Sequence, residues 1–567
     1  MSTTVTIPNP VPAEGYRKLS PQEMARRQRA LTCIRSGATA QCQGQVYVTM
    51  FFDGTGNSKD YTEPGYSGTQ KELWKHSNVA RLFDSAIVDT SNGFFPFYIP
   101  GVGTPCPDVN DLDGGKIFGK NGGGAAGYMG ADRINWGITR VLDAVHAYVT
   151  GGAFLFPSAT VKTIVKNMSS SVGALSFESS YRRTVLRNWV EKLAAVMKSS
   201  QRKVTQINLA VLGFSRGSAE ARAFANWFSE IVKQGDGGYE LAGVPVRIYF
   251  VGLFDTVASV GLANLVPGVN GHMAWADGAM AIPAAVEQCV HFIALHEQRA
   301  CFPLETAANV KQVVYPGMHT DVGGGYLPTE QGKLAQCSQI PLNDMHFAAI
   351  QAGVPLLTIE EIRQHGDLKK AFDVPPDLVR AYNNYWTNCG IGAGGETGKI
   401  VQQHTRQYVQ WRGGMLIPGQ DIKTRGFFQR ANRKDLTELL NAENDLVAQV
   451  QRLRAASQAL TTGAAMPYGD TQVRPIDAVQ RSLLAELDKH ADLPDAARAF
   501  FDDYVHDSRA GFTDIPGSGI EPSDITGGYL RYRNIYRNDR VTTNVASIPL
   551  QAVPSAEAGF VTQTAVV

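Results

Sequence analysis

Long apolar runs are missing from this chain. No stretch of 18 or more apolar residues occurs in its 567 residues, so no segment reads as a transmembrane helix. The opening residues, MSTTVTIPNPVPAEGYRKLSPQEMARR, have no apolar core of the kind a Sec-type signal peptide requires. The expectation is a protein made in the cytosol that stays there or leaves by a route that reads the folded chain. Charge of one sign is missing too. The 53 basic and 52 acidic residues leave a net charge of +1, which argues against a nucleic-acid partner. Cysteine is sparse: there are seven, at 33, 42, 106, 289, 301, 337 and 389, with no Cys-x-x-Cys pair. The odd count and the spacing fit neither a disulfide framework nor a zinc site. Most read as buried thiols, and Cys33 and Cys42 are close enough in sequence to pair in an oxidising compartment. No internal repeat is present. The glycines Gly114-Gly115 and Gly122-Gly123-Gly124 are not followed by Lys-Ser/Thr, so they do not form a phosphate-binding loop. The segment 105–130 that holds them reads as a mobile loop beside a site.

What is there is a Gly-x-Ser-x-Gly pentapeptide, Gly213-Phe214-Ser215-Arg216-Gly217. An apolar run, Ile207 to Leu212, precedes it, and a helix-forming segment, Ala219 to Val232, follows. Strand, sharp turn and helix are the context of a nucleophile elbow. The turn leaves no room for a Cβ near the serine, so Gly213 and Gly217 let strand and helix approach. The serine then sits at a helix start, where backbone N–H groups and the positive end of the helix dipole receive a developing oxyanion. The bland alternative is a serine in an ordinary glycine turn.

The rest of the chain supplies a sheet for the elbow. Val46 to Phe52 is a strand that ends in Asp53-Gly54-Thr55-Gly56-Asn57. Asp-Gly-Thr also occurs in aspartyl phosphatases of the haloacid dehalogenase type. That chemistry needs an aspartate two residues earlier, where this chain has Phe51. Further strands are expected at Phe94–Ile99, Val246–Phe254, Cys289–His296 and Val313–Tyr315. Helices are expected at Pro21–Ile34, Ser77–Phe83, Ile134–Val149 and Tyr181–Lys198. Alternating strands and helices over 46–326 predict an α/β fold with a mainly parallel sheet and helices on both faces. Gly151 to Pro157 is short and apolar, a core segment first and a lid or membrane-touching patch second. After 340 helical patterns dominate: Asn343–Gln351, Ile359–Phe372, Lys434–Leu460, Ile476–Leu487 and Asp495–Val505. The third carries an apolar stripe at Leu436, Leu440, Val447, Val450 and Leu453, broken by Glu443. The expected organisation is an N-terminal arm over 1–44, an α/β catalytic domain over 45–350, and a mainly helical region over 351–567 that contacts a partner or a membrane.

A serine hydrolase of this type needs the order serine, acid, histidine. Asp236 lies in a glycine-rich surface turn. Asp255 directly follows a buried strand, at the edge where the elbow ends, and is favoured. Among eleven histidines, His319 follows a strand and opens a glycine-rich loop. His291 and His296 read as core histidines, His506 is the main rival, and Asp321 is placed to hold the His319 loop. An oxyanion hole would use the N–H of Arg216 and one from the Gly54-Thr55 loop, each donor contributing about 3 kcal/mol.

Five blocks occur in a fixed order: Phe51 to Asn57, Tyr98 to Thr104, Gly213 to Gly217, Leu253 to Val257, and Pro316 to Tyr326. Together they resemble the α/β-hydrolase-like catalytic domain of the type VI secretion phospholipase effectors, an antibacterial lipase family, over roughly 45–350. Phe500 to Ser508 resembles members of that group less diagnostically. The resemblance implies hydrolysis of membrane phospholipid acyl esters (A1 or A2 type) with no metal or other cofactor. It implies Ser215 as nucleophile, Asp255 as orienting acid and His319 as base. It also implies delivery on a VgrG-type spike, action in the periplasm of target bacteria and a cognate immunity protein.

Overall fold

The computed structural model describes residues 3–35, 43–59, 75–115, 127, 129–169, 178–235, 238–260, 274–276, 278–462, 476–512, 528–537 and 540–543. The Cys33–Cys42 pairing, Asp236 and the glycines at 122–124 involve residues outside these. The strands are β1 (Thr4–Thr6), β2 (Gln43–Phe52), β3 (Phe94–Ile99), β4 (Lys203–Phe214), β5 (Lys233–Gly235), β6 (Gly238–Leu241), β7 (Val244–Phe254), β8 (Cys289–Ala294), β9 (Leu304–Thr306), β10 (Lys311–Tyr315), β11 (Gly394–Glu396), β12 (Ile535–Arg537) and β13 (Arg540–Thr543).

The central sheet has the order β11-β1-β10-β8-β7-β4-β2-β3. From β1 to β3 every neighbour is parallel, while β11 closes one edge antiparallel. A short hairpin of β5 and β6 adds antiparallel to β7. Parallel strands buried on both faces need continuous apolar stretches, and the last eight residues of β4 and last seven of β7 are all buried. Alternate side chains go to opposite faces. Phe52, Leu209 and Val211 pack under the helices Gly130–Thr150, Glu178–Ser199 and Arg216–Ile231. Phe51, Ala210 and Leu212 face the other way, toward the helices Gln339–Ala352 and Pro376–Asn388. The α/β architecture read from the sequence is the one found, with a helical C-terminal region.

The differences from expectation lie mostly outside the central strands. The expected helix Ile359–Phe372 is two pieces, Ile359–Ile362 and Gly366–Phe372. Helices at Ser158–Ser169 and Thr397–Gly413 were not anticipated. In the long helix Arg433–Thr462 the buried seam runs through Leu439, Ala442, Leu446, Val450 and Leu453, so Leu436, Leu440 and Val447 lie beside it. Glu443 does not interrupt the packing, because its carboxylate meets buried Arg412 at 2.6 Å. In the 151–157 segment Leu155 and Phe156 are buried while Phe154 is half exposed.

Described segments near both ends of the chain pack onto the core of the fold, β1 in the central sheet and β12 in a separate three-stranded sheet of order β13-β12-β9. β1 lies between β10 and β11, so the N-terminal arm supplies a strand. β12 pairs in parallel with β9, so residues after 530 pack onto the connection between β8 and β10. Contacts therefore cross positions 44 and 350. Val5, Ile293, Val314, Ile400, Leu446 and Tyr532 share one apolar cluster drawn from all three sequence regions. Replacing Val5 by alanine removes packing from this junction. Urea unfolding should show a loss of about 2 kcal/mol; an unchanged midpoint would mean that β1 adds nothing to the stability of the sheet.

Candidate active site

The elbow is built from three strand ends. β4 stops at Phe214, Ser215 takes φ 58° and ψ −125°, and the helix Arg216–Ile231 begins at the next residue. A non-glycine residue in this region is strained and persists only where its surroundings hold it. The hold is visible. The Ser215 N–H donates to Phe254 O (3.0 Å), Val257 N–H donates to Ser215 O (3.2 Å), and Ser218 Oγ donates to Phe254 O (2.9 Å). A Cβ on Gly213 would lie 2.5 Å from Gly217 O, and one on Gly217 would lie 2.3 Å from both Phe52 O and Asp53 O. All of these are backbone atoms that cannot move aside, so both positions exclude any side chain.

Asp255, one residue beyond β7, is fully buried and also has positive φ (40°). Its N–H donates to Phe292 O at 2.7 Å. Its Oδ2 lies 2.5 Å from His319 Nδ1, and its Oδ1 accepts the Ala294 N–H at 2.9 Å. Arg533 closes the carboxylate from the far side, Nη1 to Oδ1 and Nη2 to Oδ2, both 2.8 Å. Burial alone would push this carboxyl up, but Arg533 and His319 outweigh it and hold it well below the usual carboxylate range.

His319 starts a short helix, His319–Gly323, just after β10. Its ring lies between Phe214, with centroids 4.6 Å apart, and Phe302, at 5.0 Å. Phe214 is the residue before Ser215, so the histidine packs against the elbow. Burial favours the neutral imidazole, and Asp255 offsets this only in part, so His319 titrates below its ordinary value. With Nδ1 bonded to Asp255, Nε2 is buried and has no hydrogen-bond partner among the described residues. The His319 N–H donates to Glu297 Oε2 at 3.2 Å.

Sequence reasoning missed Arg533, Glu297, Arg299 and Ser508. Glu297 takes a two-point contact from Arg299, both bonds 2.9 Å, and accepts from Ser508 Oγ at 3.0 Å. Burial opposes its ionisation, but Arg299 dominates and its pKa falls to about 2. A buried arginine needs a carboxylate or carbonyl partner, yet only the folded chain tells which. Nothing near position 533 in the sequence marks it as part of a site whose aspartate lies 278 residues away.

The rival residues have other partners. His506 Nδ1 bonds Asp321 Oδ1 at 2.6 Å, and its ring stacks on Tyr326 at 3.8 Å. Asp321 also accepts the N–H of Met318 and of His506, so it fixes the loop that carries His319. His291 Nε2 accepts the Thr256 N–H, and His296 Nδ1 accepts the Gly317 N–H, which are core roles beside the site. In the loop after β2 the Gly54 N–H donates to Asp53 Oδ1 at 2.7 Å. Thr55 is placed next to the elbow by Arg216, whose Nε donates to Thr55 Oγ1 at 2.5 Å. The Arg216 N–H belongs to the first helical turn, where no intrahelical acceptor exists. Asp53 itself is buried under Ser77 and Tyr98, and burial pushes it up to about 6.

These features define an α/β-hydrolase-like site with a strained serine and a buried Asp–His pair. Residues 233–347 match the family model described as the T6SS phospholipase effector Tle1-like catalytic domain. The resemblance read from the sequence is borne out over that span. Among solved structures, an uncharacterized protein from Pseudomonas aeruginosa is similar at 24% identity over 94% of this chain and 85% of that one, with a TM-score of 0.74, so the two share a fold. A Tle1 effector bound to the VgrG spike of the type 6 secretion system is similar at 19% identity over 51% of this chain and 52% of that one. Its TM-score is 0.25. No curated protein matches the chain.

One buried acid next to the elbow has no hydrogen bond. Both carboxyl oxygens of Glu220 lack a partner among the described residues. Burial dominates, with Arg133 and Arg216 offsetting only part, and the pKa rises from 4.5 to about 8. Between those values the unfolded chain ionises Glu220 while the folded chain keeps it protonated, so stability falls as pH rises through that window. Glu220→Gln should therefore raise Tm relative to wild type more at pH 8 than at pH 5. A difference in Tm that is constant between those pH values would exclude the buried neutral acid.

Proposed function

We propose that the chain is an antibacterial phospholipase of the A1 or A2 type that works through an acyl-enzyme on Ser215. The observation that carries this reading is the His319–Asp255 bond of 2.5 Å beside a strained Ser215, with His319 Nε2 buried and unbonded. In this reading His319 Nε2 takes the Ser215 proton as Oγ bonds the ester carbonyl carbon. Arg216 and Thr55 N–H groups receive the oxyanion. The tetrahedral intermediate collapses, the acyl C–O bond breaks, and His319 gives its proton to the departing lysophospholipid alcohol. Water then repeats the sequence and releases the fatty acid. Asp255 stays ionised throughout and steadies the imidazolium; its pairing with Arg533 is consistent with that.

We assign the chemistry to 45–350 and partner or membrane contact to 351–567. We further propose delivery on a VgrG-type spike, action in the target periplasm and a cognate immunity protein; the family match supports the type VI delivery route. Among the described residues no helix is long and apolar enough to cross a membrane.

Ser215→Ala should lower the release of fatty acid from phospholipid vesicles by a factor on the order of 10⁴ or more while leaving the Tm unchanged. Products of a phospholipid labelled on both chains report the position cleaved. Full activity in the alanine variant would exclude the acyl-enzyme. Activity on short soluble esters but none on vesicles would exclude the lipid substrate while leaving the triad intact.

A further inference from the structure

We propose that Arg533 is a positioning residue for this triad, and that docking of the C-terminal strand β12 is thereby a condition of catalysis. The inference rests on the acyl-transfer reading of Ser215, Asp255 and His319.

Asp255 has three groups to satisfy its carboxylate: the Ala294 N–H, His319 Nδ1 and the Arg533 fork. Only the fork contacts both oxygens at once, and a planar two-point contact fixes the rotation of a carboxylate about its last torsion. Without it Oδ2 has no second restraint holding it toward His319. The arginine is itself fixed. It is fully buried, Nη1 also donates to Ala294 O (3.2 Å), and Nε donates to Phe302 O (2.8 Å). Ala294 ends β8, and Phe302 is one of the two rings against His319. The guanidinium thus joins the acid, the end of the acid's neighbouring strand and the wall of the histidine pocket.

The backbone after Arg533 is anchored immediately. Leu304 N–H donates to Asn534 O (2.8 Å), Ile535 to Arg537 pair with Leu304 to Thr306, and Thr306 Oγ1 donates to Tyr536 O (2.8 Å). Three more contacts from the C-terminal region reach the same loops: Ser508 to Glu297, and the side chain and the N–H of His506 to Asp321. The C-terminal region therefore holds the acid and both sides of the histidine loop, a role beyond surface contact with a partner.

A structural ion pair and a positioning residue differ in what they do to His319. The charged and titratable groups around the His319–Asp255 pair are Glu297, Arg299, Arg533 and His291. Asp321 is bonded to His506 instead. Arg533 neutralises the Asp255 charge that would otherwise favour the imidazolium. Removing it leaves that charge uncompensated, so His319 should hold its proton to higher pH.

The test uses the full chain and the rate at which a fluorophosphonate modifies Ser215. In that reaction the Oγ–P bond forms, fluoride leaves and His319 accepts the proton, so no assumption about lipid enters. Arg533→Gln should slow modification on the order of 10²-fold and move the acid limb of its pH profile up by on the order of one unit. Arg533→Lys keeps the charge but not the fork, and should slow the reaction with the acid limb in place. Arg533→Ala should regain rate when guanidinium is added at concentrations too low to denature. A folded Arg533→Gln variant with wild-type rate and profile overturns the proposal. So does an Arg533→Ala variant that stays folded and slow and gains nothing from guanidinium. If neither variant folds, Arg533→Lys decides, and a wild-type rate in it overturns the proposal. Absence of Ser215 modification in wild type would instead sink the triad reading on which the inference stands.

Discussion

A carboxylate taken out of water must be paid for by partners, and the site is arranged around one such group. Asp255 is fully buried, and burial alone would make it a neutral acid. The Arg533 fork and the His319 ring keep it ionised. Its place in the fold follows from the sheet: β7 ends between β4 and β8, so Asp255 emerges beside the elbow and within reach of the residues after β8. The positive φ values at Ser215 and Asp255 are local strain, kept by hydrogen bonds between the ends of these strands.

Around this centre the chain uses buried acids to fix loops. Glu297 with Ser508, Asp321 with His506, and Asp53 with Ser77 and Tyr98 each tie one strand-end loop to another part of the molecule, while Arg299 closes on Glu297 within its own loop. Each acid is buried, so losing a partner leaves an uncompensated polar group rather than a solvated one. Such contacts make loop geometry all-or-none, which suits a site whose proposed acid, base and nucleophile come from three different connections. Glu220 is the exception, buried beside the elbow without a hydrogen bond among the described residues and held neutral by its burial.

The two ends of the chain are structural rather than peripheral. β1 enters the sheet next to β10, and β12 pairs with β9, so the strand that precedes His319 is flanked by one residue pair from the N-terminal segment, Thr6 with Val313, and the connection before it by three pairs from the C-terminal segment. Three residues are enough for each strand because the neighbouring strand is already fixed. Such short strands carry no periodic signal, and neither the N-terminal strand nor the C-terminal one was legible beforehand.

The sequence by itself determined the order of the long central strands β2, β3, β4, β7, β8 and β10, because buried parallel strands must be apolar throughout and the turns that end them need glycine; the short strands β5, β6 and β9 and the helix Ser158–Ser169 carried no such signal. It determined the elbow for the same reason: backbone atoms within 2.5 Å of where a Cβ would sit leave glycine as the only residue at 213 and 217. It narrowed the acid and the histidine to the residues at strand ends. Tertiary structure alone decided which of them meet. His319 and His506 both have an aspartate partner; the sheet order brings Asp255 to the former, and the packing of the C-terminal region brings the latter to Asp321. It also brought in Arg533, 278 residues from Asp255. Contacts over such separations depend on where the whole chain travels, and no local spacing of residue types encodes them.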